Sequence, residues 1–440
     1  MKKVEEIEDE RGAPSSFYPI QKPRVISQLS DGVATPFLPC HYFDLIGGTS
    51  TGALIAIMLS QFRMTVEDCL EEYKKMGTDI FGHPRRLHAI NVPIITRTRF
   101  STGRLTRAFE QVIERRSEAK AEPSASSLAN FKTEAGTCRG LALSITDGQS
   151  ELVCHMRSYE RPDINPCPWT VLEAARAATA APLYFKPVSK TLTEQQVLTL
   201  GRAPTLRRMD SSTRPAAPRR TKLQLMDAGF GMDNNPCEVM FQEMKTMSFG
   251  SPPTVVSIGT ARPGHPEGEG RQRTLRSTVK RAFRTLGGPE RGHMKLENLA
   301  DEGGFPYFRF NAPNGLSMEM DEWNPKRNGS RTIEKMQMAF NEWIESSVAL
   351  EGLKDCAQQL VRVRRERARD GTKWAQYAVG RYFACDDNSC YQQGTKFPSR
   401  SSFERHLMDH PGGRERIERE EGIEAVVRRA EREWRYQPAA

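Results

Sequence analysis

The chain alternates apolar runs with glycine- and proline-rich breaks after a short charged start. Residues 1–12 have the composition of a charged helix end, and a Pro- and Ser-bearing loop follows them. Residues 42–46 form a short apolar run that stops at two glycines, and residues 53–59 are apolar enough for a buried helix. A strand, a glycine turn and a helix in this order are typical of α/β proteins.

Further along the chain, the pattern predicts more helices and two buried strands. Thr65 can cap a helix over residues 65–76, and residues 105–113 carry an apolar stripe at helical spacing. Residues 140–145 and 254–259 are apolar runs that stop at turn residues, as buried strands do.

Four stretches break this alternation. Residues 190–222 and 262–291 are basic, rich in Pro or Gly and without periodicity, so we expect two exposed loops, the first of them an insertion. Residues 346–382 are charged and helical, which indicates a linker helix. Residues 413–440 alternate Glu and Arg at helical spacing, the usual composition of a solvated helix.

The composition excludes several classes of protein. Hydrophobic residues make up 38% and charged residues 27%, which suits a soluble chain with a sizeable core. The acidic start lacks the apolar region of a secretory signal, and the longest apolar run is far below the ~20 residues that span a bilayer. Nine cysteines, mostly far apart, favour reduced thiols over a disulfide framework. We therefore expect a cytoplasmic protein, whose net charge of +9 favours peripheral encounter with anionic membrane surfaces.

Residues 48–52 (GTSTG) fit the pattern G-x-S-x-G between the predicted strand and the predicted helix. A serine on such a sharp turn needs small neighbours, here Gly48 and Gly52, because larger side chains would meet the strand or the helix. The helix aims its first N–H groups, including that of Thr51, at the oxygen that becomes negative during acyl transfer. The pattern indicates Ser50 as a nucleophile, with a phosphate-binding or merely connecting turn as the alternative.

Four blocks of the sequence, taken together and in this order, resemble the patatin-like phospholipase family. They are residues 44–52 (DLIGGTSTG), 173–185 (EAARAATAAPLYF), 226–236 (MDAGFGMDNNP) and 256–260 (VSIGT). The resemblance covers roughly residues 1–345 and implies a three-layer α/β/α fold. It also implies hydrolysis of acyl esters in phospholipids or related lipids by a Ser–Asp dyad, which needs no metal or other cofactor.

Carried over by position, the resemblance makes Ser50 the nucleophile and Asp227 the general base. A carboxylate with an ordinary pKa near ~3.9 is ionised at neutral pH and can take the serine proton directly. Gly229 would keep the turn after Asp227 open, and Ala228 stands where the family more often has glycine. A rival interpretation adds His265, since Ser, Asp and His in this order form the triad of α/β-hydrolases; the block around Asp227 favours the dyad.

One element of the family's pattern is missing from the sequence. The family begins with a strand and a loop, Asp-Gly-Gly-Gly-X-Arg-Gly, whose N–H groups form the oxyanion hole. Before Ser50 the only similar pair is Asp31 and Gly32, so the Thr51 N–H would remain as a single donor. Losing one oxyanion donor typically costs ~10²–10³ in turnover. Unless the chain is an incomplete copy of its gene, two functions compete: a lipid acyl hydrolase, and an impaired pseudoenzyme that serves as a lipid- or protein-binding scaffold.

A separate signal lies near the C-terminus, within residues 383–412. Its spacing, C-x4-C-x15-H-x3-H, is close to that of a C2H2 zinc finger but longer in the middle. The four residues are Cys385, Cys390, His406 and His410. A unit this small cannot bury a sufficient core, so a structural zinc ion would supply its stability. Two ordinary thiols and two exposed histidines are the alternative, and nucleic acid is not the partner that we expect.

Overall fold

The computed structural model describes most of the chain. The described residues are 1–8, 38–85, 97–116, 130–133, 137–147, 152–161, 169–198, 200, 220–230, 234–247, 253–261, 289–312, 323, 329–369, 381–385, 387, 390, 396–397, 400–410, 412–419 and 422–433. Three features of the sequence lie outside them: the pair Asp31 and Gly32, His265, and the larger part of the basic stretch 190–222.

The described elements are strands and helices in mixed order. The strands are β1 Leu45–Thr49, β2 Arg139–Thr146, β3 Val153–Arg157, β4 Val188–Thr193, β5 Arg220–Asp227, β6 Val255–Ile258, β7 Tyr307–Phe310, β8 Arg381–Ala384, β9 Lys396–Phe397 and β10 Glu431–Glu433. The helices are α1 Lys2–Glu8, α2 Thr51–Ser60, α3 Val66–Phe81, α4 Thr102–Arg116, α5 Val171–Ala178, α6 Glu194–Leu198, α7 Cys237–Thr246, α8 Pro289–Gly303, α9 Ser330–Ile344, α10 Ser347–Ala368, α11 Arg400–Asp409, α12 Gly413–Arg419 and α13 Ile423–Ala430.

A mixed five-stranded sheet organises the first part of the chain. β2 lies at its centre: β1 pairs with it in parallel, β3 and β5 pair with it antiparallel, and β4 pairs with β5. Nearly every residue of β2 is buried, which confirms the apolar run at 140–145 as a buried strand. Such a strand needs cover on both faces, because its side chains alternate between them.

Helices supply that cover on both faces of the sheet. On one face α2, α3, α4 and α5 share a core with sheet residues such as Ala142 and Met156. On the other face α7 packs Val239 and Met240 against Leu141. The arrangement confirms the predicted α/β class and has a helical layer on each side of the sheet.

The basic stretch 190–222 is part of the sheet at both of its ends. β4 and β5 form an antiparallel pair whose register joins Val188 to Leu225 and Thr193 to Arg220. The prediction of an exposed loop is therefore wrong for these ends. β4 buries Val188 and Leu192, but the polar Ser, Lys and Thr residues around them hide this strand pattern in the sequence. The other predicted loop also ends earlier than expected, since α8 begins at residue 289.

A second, two-stranded sheet joins β6 and β7 in parallel. β6 confirms the strand predicted at 254–259 but not its burial, because Ile258 is 79% exposed. α10 packs against α1 and against apolar residues of both strands. Residues 346–382 were predicted to be a linker, whereas the buried face of α10 contributes Cys356 and Val361 to a core that includes Val4 of α1.

The segment from residue 381 to residue 433 forms a small unit, which we call the C-terminal module. β8 lies between β9 and β10 in an antiparallel sheet, and α11, α12 and α13 pack around it. The single solvated helix predicted over 413–440 is wrong. Gly422, with φ 117°, separates α12 from α13, and Val426 and Val427 are buried in the core of the module.

Candidate active site

Ser50 stands on the sharp turn between β1 and α2. Its backbone has φ 56° and ψ −131°, a region that residues other than glycine rarely adopt. A side chain at Gly48 would come within 2.2 Å of the backbone of Gly52, so glycine is required where the chain folds back on itself. A Cβ added at Gly52 would meet no described atom within 4 Å. The prediction that this second glycine is sterically required is therefore wrong.

Two strand ends meet beside β2 and bring Ser50 to Asp227. β1 pairs with one edge of β2 up to Thr49, which lies opposite Leu143. β5 takes the next position on that edge, where Asp227 lies opposite Ser144, while β3 occupies the other edge. Because β1 runs parallel to β2 and β5 antiparallel, their carboxyl ends point at each other. Two residues 177 positions apart in sequence thereby become neighbours.

The two side chains form a short hydrogen bond in a buried setting. The hydroxyl of Ser50 donates to Oδ2 of Asp227 at 2.6 Å, and the N–H of Gly229 donates to Oδ1 at 2.8 Å. Asp227 is only 1% exposed. Burial raises the pKa of its carboxyl to about 6, although the hydrogen bonds from Ser50 and Gly229 lower it.

This pKa changes the chemistry expected of the aspartate. An ordinary aspartate stays ionised down to about pH 4, whereas Asp227 gains a proton as the pH falls through about 6. A carboxylate with a raised pKa holds a proton more strongly, and at neutral pH it is still largely ionised. The sequence-based expectation of an ordinary pKa near 3.9 is therefore wrong, and the correction makes Asp227 a better proton acceptor.

The block 173–185 positions Asp227, a role that sequence reasoning did not assign to it. α5 begins with a reciprocal cap between Thr170 and Glu173, and its alanines pack in the same core as α2. Just beyond the helix, the carbonyl of Ala180 accepts a hydrogen bond from the Asp227 N–H at 3.2 Å. The only sequence signal for this role was the resemblance of the block.

The residues on either side of the dyad also have defined positions. α2 begins at Thr51, directly after the serine, and the first N–H groups of a helix lack partners within it. The side chain of Thr51 is hydrogen-bonded to Tyr73 of α3. Ala228 is fully buried in the core beneath α7. Residues 9–37 lie outside the described part of the chain. Among the described residues, the candidate oxyanion donors are the first N–H groups of α2.

The described histidines have other partners. His41 lies 3.1 Å from Arg63, and His293 lies 3.1 Å from the hydroxyl of Tyr307. Among the described residues, no histidine is hydrogen-bonded to either member of the Ser–Asp pair. His265, on which the rival triad depends, falls outside the described residues.

A second buried polar cluster was missed by sequence reasoning. The carboxylate of Glu243 on α7 accepts hydrogen bonds at 2.7 Å from Arg157, 2.7 Å from Tyr159 and 3.1 Å from Arg161. Burial alone would raise the pKa of Glu243, but hydrogen bonds from Arg157, His155 and Tyr159 hold it well below its ordinary value. The cluster ties α7 to the β3 edge of the sheet, which is a structural role.

The four predicted metal ligands lie together in the C-terminal module. Their ligand atoms are all within 4.8 Å of one another, and all four residues are buried. Cys390 Sγ lies 3.6 Å from His406 Nε2. The group belongs to a core separate from that of the serine and aspartate.

Comparisons with known proteins bear on the first part of the chain. Residues 29–241 match a family model described as Patatin-like phospholipase. The chain is 24% identical over 328 residues to calcium-independent phospholipase A2-gamma of Oryctolagus cuniculus, and 26% identical over 325 residues to that of Homo sapiens. Each match covers 70% of this chain and 34% of the relative.

These findings support a relationship to the patatin-like phospholipases. The chain spans about a third of the length of these curated relatives. A shorter match, 50% identical over 44 residues, relates it to the protein of the same name from Rattus norvegicus, covering 10% of this chain and 6% of that protein. Within the described residues, no helix combines the length and apolar character needed to cross a membrane.

Proposed function

We propose that this chain, whose residues 29–241 match a patatin-like phospholipase family model, is a lipid acyl hydrolase that cleaves acyl esters of phospholipids through Ser50 and Asp227. The observation that carries the proposal is the 2.6 Å hydrogen bond from the Ser50 hydroxyl to the buried carboxylate of Asp227. The strained elbow supports it, because such backbone conformations cluster at functional sites.

The proposed reaction has two steps with Asp227 as the proton carrier. As Ser50 Oγ attacks the ester carbonyl, its proton passes to the Asp227 carboxylate, and the intermediate collapses when that proton moves to the departing alcohol. The products of this step are a lysophospholipid and an acyl-serine. Water then gives a proton to Asp227 and attacks the acyl group, which leaves as a fatty acid while the serine recovers its proton. No step in this scheme calls for a catalytic cofactor.

The negative oxygen of each tetrahedral intermediate needs hydrogen-bond donors. We propose that the Thr51 N–H supplies one of them, since it is the first N–H of α2 and lies directly after the nucleophile. The positive end of the helix dipole adds to its effect. Oxyanion donors of this kind act most strongly in a site from which water is excluded.

The substrate class follows from the family and from the charge of the chain. The matched relatives are named calcium-independent phospholipase A2-gamma, which points to the acyl esters of phospholipids. The net charge of +9 favours approach to an anionic interface, so we propose peripheral contact with the membrane that holds the substrate.

A second candidate function is a patatin-fold scaffold that binds lipid or protein without hydrolysing it. Residues 1–49 contain no Asp-Gly-Gly-Gly-X-Arg-Gly sequence, and this candidate applies if no other segment supplies the oxyanion donors. A site with too few oxyanion donors would retain the serine and aspartate geometry but turn over slowly.

Fatty-acid release from phosphatidylcholine vesicles separates the two candidates. We expect release by the wild-type chain and its loss in both Ser50→Ala and Asp227→Asn. Ser60→Ala is the matched control, because Ser60 is buried at the other end of α2 and bonds only to a helix carbonyl, that of Ala56. Vesicle binding without release by the wild type would favour the scaffold, and release by Ser50→Ala would end the proposed dyad.

A further inference from the structure

We infer that Cys385, Cys390, His406 and His410 form a tetrahedral zinc site that holds the whole C-terminal module together, including elements beyond the ligands. The two thiols and two imidazoles are contributed by separate parts of the module. Cys385 directly follows β8, whereas both histidines lie on or at the end of α11. All four residues are buried, and their ligand atoms lie within 4.8 Å of one another.

The distances match those of a zinc site. With Zn–S near ~2.3 Å and Zn–N near ~2.0 Å, a sulfur and a nitrogen at two corners of a tetrahedron lie about 3.6 Å apart. Cys390 Sγ and His406 Nε2 are separated by 3.6 Å. A thiol and an imidazole can also hydrogen-bond at this distance, and it equals the separation expected of two ligands that share one ion.

The histidines are held ready for this role. His406 stacks on Phe397, with ring centroids 4.5 Å apart, and meets His410 edge to face at 5.2 Å. The Nε2 atom of His410 is buried and has no hydrogen-bond partner among the described residues. A buried polar nitrogen without a partner costs free energy, and coordination to an ion would remove that cost.

The module needs such an ion because its apolar core is small. Among the described residues, that core has eight buried members, and two of them are the cysteines themselves. Phe383 and Phe403 stack at 5.8 Å, and α13 adds Val426 and Val427. In a domain below about 40 residues the apolar core seldom suffices for a stable fold. A module only slightly longer also gains stability from a bound metal or another cross-link.

The site reaches further than the predicted finger. The sequence pattern ends near residue 412, but β10 pairs with β8 through Glu431 opposite Phe383. Because Cys385 lies two residues beyond Phe383, loss of the ion would release β8, and with it β10 and α13. A metal bound to exposed surface thiols could be removed without release of these elements.

The test uses the full chain, purified with zinc and dialysed, and measures metal content by elemental analysis. We expect about one zinc ion per chain, loss of the ion in Cys390→Ala and His410→Ala, and its retention in His410→Cys, which keeps a ligand atom at that position. Cys356→Ala is the matched control, because this buried cysteine lies in α10, outside the cluster. No bound metal, or metal retained by both alanine variants, would overturn the inference.

Two measurements on the wild-type chain keep the inference testable even where a variant fails to fold. Replacement of zinc by Co²⁺ should give the intense visible bands of a tetrahedral site with thiolate ligands; weak octahedral bands, or a Cys385–Cys390 disulfide in the isolated protein, would contradict it. A chelator should abolish hydrogen-exchange protection in β8 and β10 while β2 stays protected, because the two cores are separate. Equal protection with and without chelator would refute the structural role.

Discussion

Replacement of Asp227 by Asn should make the protein inactive and at the same time more stable at neutral pH. The pKa of Asp227 rises from 3.8 to about 6 because the folded protein buries its carboxyl. At about 1.4 kcal/mol per pKa unit, this corresponds to a destabilisation of about 3 kcal/mol by the ionised side chain. Asparagine has the same shape, can accept the Gly229 N–H, and can donate to Ser50.

The pH dependence of this gain follows from the sign of the shift. The folded state binds the proton more tightly than the unfolded state, so the ionised carboxylate destabilises the fold fully above about pH 6. The penalty fades as the pH falls and is gone below the unfolded value of 3.8. The Asn variant should therefore gain about 1–3 kcal/mol at pH 8 and less than about 0.5 kcal/mol near pH 4.

Urea unfolding of wild type and Asp227→Asn at several pH values measures this gain. Asp301→Asn serves as the control, because this aspartate of α8 is exposed, and surface substitutions usually stay within about 0.5 kcal/mol. A variant that is less stable than the wild type at pH 8, or a gain that does not change between pH 8 and pH 4, would refute the burial argument.

Three further predictions concern the elbow, the base and the buried cluster. Gly48→Ala should abolish activity and lower the melting temperature, because its Cβ would lie 2.2 Å from backbone atoms, while Gly52→Ala, with open space around it, should keep the fold; equal melting temperatures would contradict this. The value of kcat/KM should fall as the pH drops through about 6, the pKa of Asp227. The midpoint of this fall should shift little with temperature, because carboxyl ionisation depends weakly on temperature. A midpoint that shifts strongly with temperature, as an imidazole pKa does, would implicate a histidine. Glu243→Gln should cost about 3–5 kcal/mol in urea unfolding, because it leaves buried cations uncompensated, whereas Glu160→Gln, in an exposed pair with a lysine, should cost under about 1 kcal/mol; similar costs would refute the role of the cluster.

The elbow and the α/β class could be predicted because they depend on local patterns. A short apolar run, two glycines and an apolar helix define β1, the turn at Ser50 and α2 without reference to the rest of the chain. The burial of β2 follows in the same way from its unbroken apolar sequence.

The approach of Asp227 to Ser50 depends on sheet register, which no local pattern contains. The pairing of Thr49 with Leu143 and of Asp227 with Ser144 joins three distant strands. The raised pKa could not be foreseen either, because it arises from burial by side chains that are remote in sequence.

Charged residues misled the prediction wherever they lie on the outer face of a packed element. α10 and α13 carry many Arg and Glu residues, yet each buries one apolar face. β4 likewise hides Leu192 between polar neighbours. In such segments a few apolar residues decide the packing, and average composition does not reveal them.

Covalent labelling of the nucleophile tests the central proposal most directly. A fluorophosphonate reacts readily only with an activated serine, and peptide mass spectrometry identifies the residue that carries it. We expect one labelled serine, Ser50, with a labelling rate that falls as the pH drops through about 6 and is lost in Asp227→Asn. Label on another serine would contradict the proposed dyad. So would labelling of Ser50 in the Asp227→Asn variant at the same rate as in the wild type.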